Sequence, residues 1–600
     1  MAPDAADYAQ FVAANLPGFL GELREKRIGD HVDFVVLPSG GGFYLSAPGY
    51  VHDACAAVTR FAAPTPFTLA YRAADVLNGI SSQVRNRFYK GSWVPQYFDS
   101  NLSWLGGDPS TSASARRYFI GAQLGYTGPN GNSLAEVLAM IDRSVAADAT
   151  HPPGTFYFME TTDPLRSGPR DALYPQAVTH ITAAGGSAQH LFDWLPQGSH
   201  DCLGIMTGFA AFDIDGADLT LLPGSFADHL TSYAGNFDDV SQTKMTRWIA
   251  KGASGTCGAV EEPCNYPGKF PTARMHALYF QGLSLGEAWF RSLDYEPFQD
   301  LFVGDPLTRP WAWPPSIDVP DAPGGTVSGT AWLTPVASAT APGADIDYLE
   351  LHVDGVLHST IENGELFEID TTELDDGWHE LRVLAFDDTL VRNVGTWTGE
   401  LVVDNDGLAV TLSAQSASGD LGTLFALDHA AAGDLVDEVQ LVQNDRVVAS
   451  STGAVGTLGV HGQMLGAGTV RVQAVAVFAG GRRARSEPVT LSIAYSGGTT
   501  GTPPVAFGFT EGIHGTAVLE LPATFDDPLA SAVYTVVASP AKATILGGGT
   551  GPWRVVRPGP GAIGSDTLVF HVTTGAGTSP DATITIEYDR PRALLRRDSP

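Results

Sequence analysis

Between residues 226 and 235 the chain reads FADHLTSYAG, which sets Asp228, His229, Thr231 and Ser232 almost side by side. Hydroxyl, imidazole and carboxylate are the donor set of a serine- or threonine-type hydrolase: the ring draws the hydroxyl proton and the acid holds the ring. On that reading His229 is the base, Ser232 or Thr231 the nucleophile, and Asp228 or Asp213 the orienting acid. The opposing reading is a polar loop that seals the carboxyl edge of a sheet, where open α/β sheets bind ligands. Members of a triad crowded into one short loop rarely reach productive geometry, so the residues favour the sealing loop and a binding cleft over a hydrolytic one.

Other groups carry weaker chemistry. Glu261, Glu262, Lys269 and Asp305 follow strand ends in the same half of the chain. They are either a polar-ligand or acid–base cluster, or a lysine paired with a carboxylate and an aspartate capping the turn before Pro306; the second is favoured slightly. DIDGAD (213–218) has neither the glycine nor the glutamate of a calcium loop at the required places and reads as an Asp-rich turn. PSGGG (38–42) lacks the Lys-Ser/Thr of a phosphate loop. Cys257 and Cys264 are spaced to close a small disulfide loop, while Cys55 and Cys202 read as isolated core residues; no CxxC or paired histidine suggests a metal. No cofactor is expected, apart from calcium at inter-module turns, where Asp375, Asp376, Asp387, Asp388, Asp526 and Asp527 stand. In SWVPQYFDSNLSW (92–104), Trp93, Tyr97, Phe98 and Trp104 make a stacking surface if exposed and a subdomain core if buried; burial is expected.

The elements that must position these groups change character near residue 314. Before it, HVDFVVLP (31–38), RYFIGAQL (117–124), GTFYFME (154–160), CLGIMTGFA (202–210) and DLFVGDP (300–306) read as buried strands. Residues 133–149, 174–185, 242–253 and 273–293 carry the helical period between them. Such alternation predicts a mostly parallel sheet covered by helices on both faces, an α/β three-layer domain over 1–314. PWAWPPSIDVPDAPGGTVSG (310–329) reads as a hinge. After it the period drops to two. IDYLELHVDG (346–355) aligns with VDEVQLVQND (436–445) at an offset of 90, and LRVLA (381–385) with VRVQA (470–474) at 89. A repeat of ~90 residues of short strands fits an immunoglobulin-like sandwich, giving modules at 320–405 and 406–495. A flexible linker, a third sandwich at 505–588 and a frayed tail at 589–600 complete the reading.

Composition narrows the class. A formal charge of −32 over 600 residues excludes a nucleic-acid partner, which needs a concentrated positive field. No run reaches the ~18 apolar residues of a membrane helix. The N-terminal stretch lacks the basic and apolar regions of a signal peptide, so either the start is truncated or processed, or the protein stays inside.

IDRS (141–144), RSGPRDALY (166–174), MTGFAAFD (206–213), LPGSFADHLTSYAG (222–235), QTKMTRWIAKGASGTCGAVEEP (242–263), KFP (269–271) and VGDPLTRP (303–310) occur in this order. Together they resemble an uncharacterised family of exported bacterial proteins associated with the PEP-CTERM sorting system. That domain is in turn remotely similar to the gingipain-like cysteine peptidases of the caspase–hemoglobinase clan. The resemblance implies a caspase-like layered fold with a His after one strand and a Cys at the end of the next. Phe209 stands at the first place, and no cysteine lies within 228–233, so the implied fold lacks the implied dyad. GSDTLVFHVTTGAGTSPDATITIEY (564–588) resembles the cadherin-like and bacterial Ig-like repeats of surface proteins. The resemblance implies an extracytoplasmic protein, secreted or at the cell surface, that binds a surface protein, peptide or glycan without cleaving it. A hydrolase using Ser232 or Thr231 with His229, and a purely structural or adhesive envelope protein, are the alternatives.

Overall fold

The computed structural model describes residues 8–25, 31–51, 57–72, 85–262, 267–494, 504–506, 508, 510–513, 517–524, 532–547 and 553–588. Cys55, Cys264, Asp526, Asp527, most of the 496–504 linker and the 589–600 tail lie outside the described residues.

Continuous apolar runs become strands whose two faces are both covered. Eight of them form one sheet: β1 (Phe34–Leu37), β2 (Ile120–Gln123), β3 (Thr155–Met159), β4 (Ser187–Leu191), β5 (Ser199–Thr207), β6 (Leu219–His229), β7 (Gly255–Ala259) and β8 (Asp300–Gly304). Their spatial order is β1-β2-β8-β7-β6-β5-β3-β4. Every neighbouring pair is parallel except β7 and β8. Alternation sorts each strand between two cores: Phe156 and Phe158 enter one, Tyr157 and Met159 the other.

Helices supply both cores. α1 (Tyr8–Glu25) packs on the hairpin of Tyr44–Val51 and Ala57–Ala62 through Tyr8, Val12 and Leu16 against Leu45 and Phe61. α2 (Leu134–Ala147) and α4 (Thr246–Lys251) cover one face of the sheet with Val137, Met140, Trp248 and Ile249. α3 (Tyr174–Ala183), α5 (Arg274–Phe280) and α6 (Leu285–Ser292) cover the other with Ile181, Leu278, Trp289 and Phe290. The helical period over 273–293 predicts one helix; the chain makes two, because Gly282 takes φ 103° and Ser284 opens α6 with a capping box to Glu287.

Three strands escape sequence reading: β4 is the largely polar SAQHL at the sheet edge, and β6 and β7 carry residues that signal turns. β6 runs through Pro223 and Gly224, residues that signal a turn, by a bulge between Leu221 and Phe226. β7 is GTCGA, whose glycines admit close neighbours: a Cβ on Gly258 would meet Ala234 at 2.7 Å.

The start of the Pro-rich segment 310–329 is packed against the lobe. Trp311 is 5% exposed and sits among Phe156, Tyr279 and Phe280, and Trp313 covers His151 with ring centroids 4.2 Å apart. Burial of one such aromatic stabilises by about 2–3 kcal/mol, enough to hold the segment down. Next to it, Arg309 donates to the Gly282 carbonyl at 2.9 Å and to the Val391 carbonyl at 3.0 Å, tying the α/β lobe to the first sandwich.

Beyond the lobe the described residues are built of strands, apart from short helical turns at Thr371–Glu373 and Gly462–Leu465. Separate apolar cores form within 317–403, 408–493 and 506–588. The 90-residue repeat is structural in detail. β9 (Ile346–Val353) pairs with β10 (Val356–Ile361) and β11 (Asp376–Asp387); β12 (Val394–Val403) adds beside β11. β13 (Val436–Gln443) pairs with β14 (Arg446–Ser451) and β15 (Gly468–Phe478) in the same way. Bulges recur at matching places, between Leu351 and His352 and between Leu441 and Val442. The hairpin turns Asp354-Gly355 and Asn444-Asp445 have positive φ at both positions, as a tight type I′ turn requires. The two modules fuse into one 11-stranded sheet where β11 pairs in parallel with β16 (Arg483–Arg485).

Asp376, read from sequence as a cation-binding turn residue, is buried and accepts backbone N–H bonds from Asn405 at 2.7 Å, Asp406 at 3.1 Å and Leu408 at 2.8 Å. Asp387 serves Asn393 and Thr389 in the same manner, Asp388 accepts from the Asp345 N–H at 3.1 Å, and Asp375 pairs with Arg485 at 3.0 Å. Asp376→Ala orphans the buried Leu408 N–H and two part-buried N–H groups at the module junction and is expected to lower unfolding stability by about 2 kcal/mol, read as a shifted urea midpoint; a change within about 0.5 kcal/mol, the size of a surface substitution, contradicts this role.

Candidate functional site

The stretch singled out by its chemistry is not a loop at its start. Residues 226–229 end β6, and the turn begins only at Ser232. Strand alternation therefore sends neighbours to opposite faces: Phe226 enters one core and Ala227 the other. Asp228 follows Phe226 and meets the buried Arg170 guanidinium, which also donates to the Thr207 carbonyl. His229 follows Ala227 and meets Trp248 and Phe212. Asp228 cannot orient His229, because the sheet lies between them.

His229 is 1% exposed, and both its ring nitrogens are engaged. Nε2 donates to the Thr243 carbonyl at 2.9 Å, and Nδ1 accepts the Trp248 indole N–H at 3.0 Å. That pairing fixes the neutral Nε2–H tautomer and occupies the lone pair a general base would use. Burial pulls its pKa down to about 4, the Thr243 bond opposing and Arg170 and Lys244 adding to the depression. Thr231 is likewise spoken for: its hydroxyl donates to Gln242 Oε1 at 2.7 Å and accepts from Arg166 Nε at 2.9 Å. Ser232 is half-buried in the turn.

The remaining sequence-selected groups are held by local structure. Asp213 accepts the Gly216 N–H at 2.9 Å, closing an Asx-type turn, and lines a cleft of about 340 Å³ with Asp215, Lys244 and Arg247. Glu261 accepts the Thr59 and Arg60 N–H groups at 2.8 and 2.7 Å, anchoring the hairpin. Lys269 is buried, donates to the Glu261 carbonyl at 2.9 Å, and has its pKa lowered to about 8 by burial, with Glu262, Asp300 and Glu261 opposing. Asp305 accepts the Leu307 N–H at 3.0 Å and caps that turn. Cys257 is a buried thiol on β7 within the core covered by α5 and α6, and Cys264, its expected bridge partner, lies outside the described residues. Cys202 is also free and buried. Within SWVPQYFDSNLSW, Trp104 and Phe98 are core, Trp93 stacks on His180 at 4.5 Å, and Tyr97 reaches the first sandwich.

Tyr97 opens onto a larger cleft, about 500 Å³, between the lobe and the first sandwich. The lobe contributes His31, Asp33, Asp99, Glu287 and Arg309; β9, β11 and the turn after them contribute Tyr348, Glu350, His352, Arg382, Phe386 and Arg392. Arg392 lies over Tyr97 at 3.7 Å, and Tyr348 stacks on Phe386 at 4.5 Å. Burial raises the Asp33 pKa to about 7; Asp99 and Glu287 add to the rise and Ser100 opposes it. Sequence reasoning missed this cleft because its walls come from separate segments near residues 31–34, 97–101, 284–309 and 348–394, and no spacing rule brings such segments together.

No family model matches the chain, and no curated protein matches it. Among solved structures it is similar to the fibronectin(III)-like modules of Clostridium thermocellum CbhA (16% identity over 32% of this chain and 100% of that one, TM-score 0.13). It is also similar to Bacteroides ovatus mixed-linkage glucan utilization locus SGBP-B, solved with a mixed-linkage heptasaccharide (13%, 46% and 70%, TM-score 0.19). A third likeness is to the N-terminal eight Ig domains of Down Syndrome Cell Adhesion Molecule (14%, 49% and 42%, TM-score 0.16). At these identities and TM-scores no function passes to this chain from any of them.

Two outcomes test the sealed edge. Unfolding frees His229 to bind a proton that the fold refuses, so its contribution to stability is present above pH 6.5 and is lost as pH falls toward 4. Glutamine offers the same donor and acceptor; His229→Gln should shrink the loss of stability between pH 7 and pH 4.5 by roughly 2–3 kcal/mol, and an unchanged loss in urea titrations contradicts the assignment. Arg170→Met leaves Asp228 buried without its partner and should cost about 3–5 kcal/mol, with Arg170→Met/Asp228→Leu recovering part of it.

Proposed function

We infer that the chain is an extracytoplasmic, surface-associated binding protein, in which a peptidase-like lobe of the gingipain type binds without cleaving and the Ig-like sandwiches act as spacers. The observation that carries this reading is the state of His229: an imidazole with both nitrogens bonded and its basicity suppressed has no means of activating Ser232 or Thr231. Tandem sandwiches suit a spacer, since each brings its own core and the first two share a continuous sheet. Among the described residues no helix is long and apolar enough to cross a membrane.

The interlobe cleft is the place for the ligand. Aromatic rings beside carboxylates and guanidinium groups suit a glycan, whose apolar ring faces stack on Tyr348 and whose hydroxyls bond to charged groups such as Arg382; a peptide is the competing class. Full-length protein screened on glycan and peptide arrays is expected to bind glycans, with Tyr348→Ala and Arg382→Ala weakening binding about tenfold or more, the equivalent of about 1.4 kcal/mol. On a peptide-cleavage library the wild type and Ser232→Ala should be equally inert. Cleavage by the wild type that Ser232→Ala or Thr231→Ala abolishes would establish the hydrolase instead.

A further inference from the structure

In the cleft, His31 of the lobe converges with Glu350 and His352 of β9. Glu350 Oε2 lies 3.1 Å from His352 Nε2 and 3.9 Å from His31 Nδ1, and one ligand atom from each of the three falls within 4.8 Å of the others. We propose that His31, Glu350 and His352 form a binding site for a divalent cation of the zinc class, joining the α/β lobe to the first sandwich.

The geometry and the chemistry agree. Ligand atoms about 2.0–2.1 Å from a tetrahedral zinc are about 3.3 Å from each other, so the observed spacing needs a contraction of at most about 1.5 Å. Two imidazoles and one carboxylate are the ligand types that favour zinc over calcium or magnesium, which prefer all-oxygen shells. Three protein ligands leave a fourth position for water or a ligand, and all three residues line the 500 Å³ cleft. The side chains are largely withdrawn from solvent, His352 at 6%, Glu350 at 14% and His31 at 20% exposure, which strengthens their attraction for a cation.

The supporting strand makes the set rigid and specific. Leu349, Leu351 and Val353 enter the sandwich core, while Glu350 projects to the outer face and the bulge before His352 adjusts its aim. At the same register in the second module stand Gln440 and Val442, which occupy the same bulged hairpin. The sandwich therefore does not need a glutamate and a histidine there for its own stability. The nearest competing cation is Arg382, opposite His352 across the ladder, and its guanidinium is engaged by Glu380 at 2.8 Å.

The test uses full-length protein stripped with a chelator and titrated with zinc alone, so it is independent of the glycan reading and can fail without touching it. One equivalent of zinc is expected to bind near neutral pH and to raise the melting temperature; cobalt at the same site should give the visible absorption of a four-coordinate centre. Glu350→Gln/His352→Val, which installs the residues of the second module, and His31→Gln should each weaken zinc at least tenfold and abolish the cobalt band. His358→Ala, an exposed histidine on β10, should leave both unchanged. Should the double variant fail to fold, His31→Gln alone decides. Absence of stoichiometric zinc binding by the wild type, or its persistence in His31→Gln, overturns the proposal.

Discussion

A single guanidinium fixes the arrangement on which the rest depends. Arg309 bonds the Gly282 carbonyl at the α5–α6 break and the Val391 carbonyl of the first sandwich, so one planar group reads the backbone of both bodies. Arginine suits this because its donors are held in a rigid fork and its charge is permanent. Trp311 then fills the apolar space beside it, and Asn393 accepts the Trp313 N–H at 2.9 Å. Once these contacts are made, the outer face of β9 must stand opposite the lobe. The cleft and the His31–Glu350–His352 cluster are consequences of that docking.

The same logic of covered faces explains how the polar groups at this edge of the sheet are held. A sheet buried on both sides sends successive residues into different layers, and any polar group carried there must be paired. Asp228 finds Arg170, His229 finds Thr243 and Trp248, and Thr231 finds Gln242 and Arg166. Each pairing removes a reactive group from solvent chemistry. A cluster that looks catalytic when written as a string is, in space, three separate structural contacts on two sides of a wall.

The sandwiches follow a different rule. They repeat their ladders, bulges and turns at a 90-residue interval, yet they differ where a module meets another body. Glu350 and His352 face the lobe, whereas Gln440 and Val442 hold the same places in the next module. Asp375 and Asp376 are turned inward to fasten the junction of the two modules through Arg485 and three backbone N–H groups. Variation on a repeated frame is thus concentrated at the contacts, where energy depends on the partner rather than on the ladder.

What the sequence determined by itself was local: apolar runs such as TFYFM, the helical stripe of 134–147, the alternating strands and the paired turns of the repeat, because periodicity and turn chemistry act over a few residues. It misread β6 and β7, where Pro223, Gly224 and the glycines of GTCGA signal turns but close packing and a bulge permit strands. It also took 310–329 for a hinge, since proline and glycine report on backbone freedom and not on whether tryptophans find a core. Only the tertiary structure decided that Asp228 and His229 lie on opposite faces, that Cys257 points inward, and that His31 meets His352. Those outcomes turn on strand register and on docking between bodies, and neither is written in the spacing of residues along the chain.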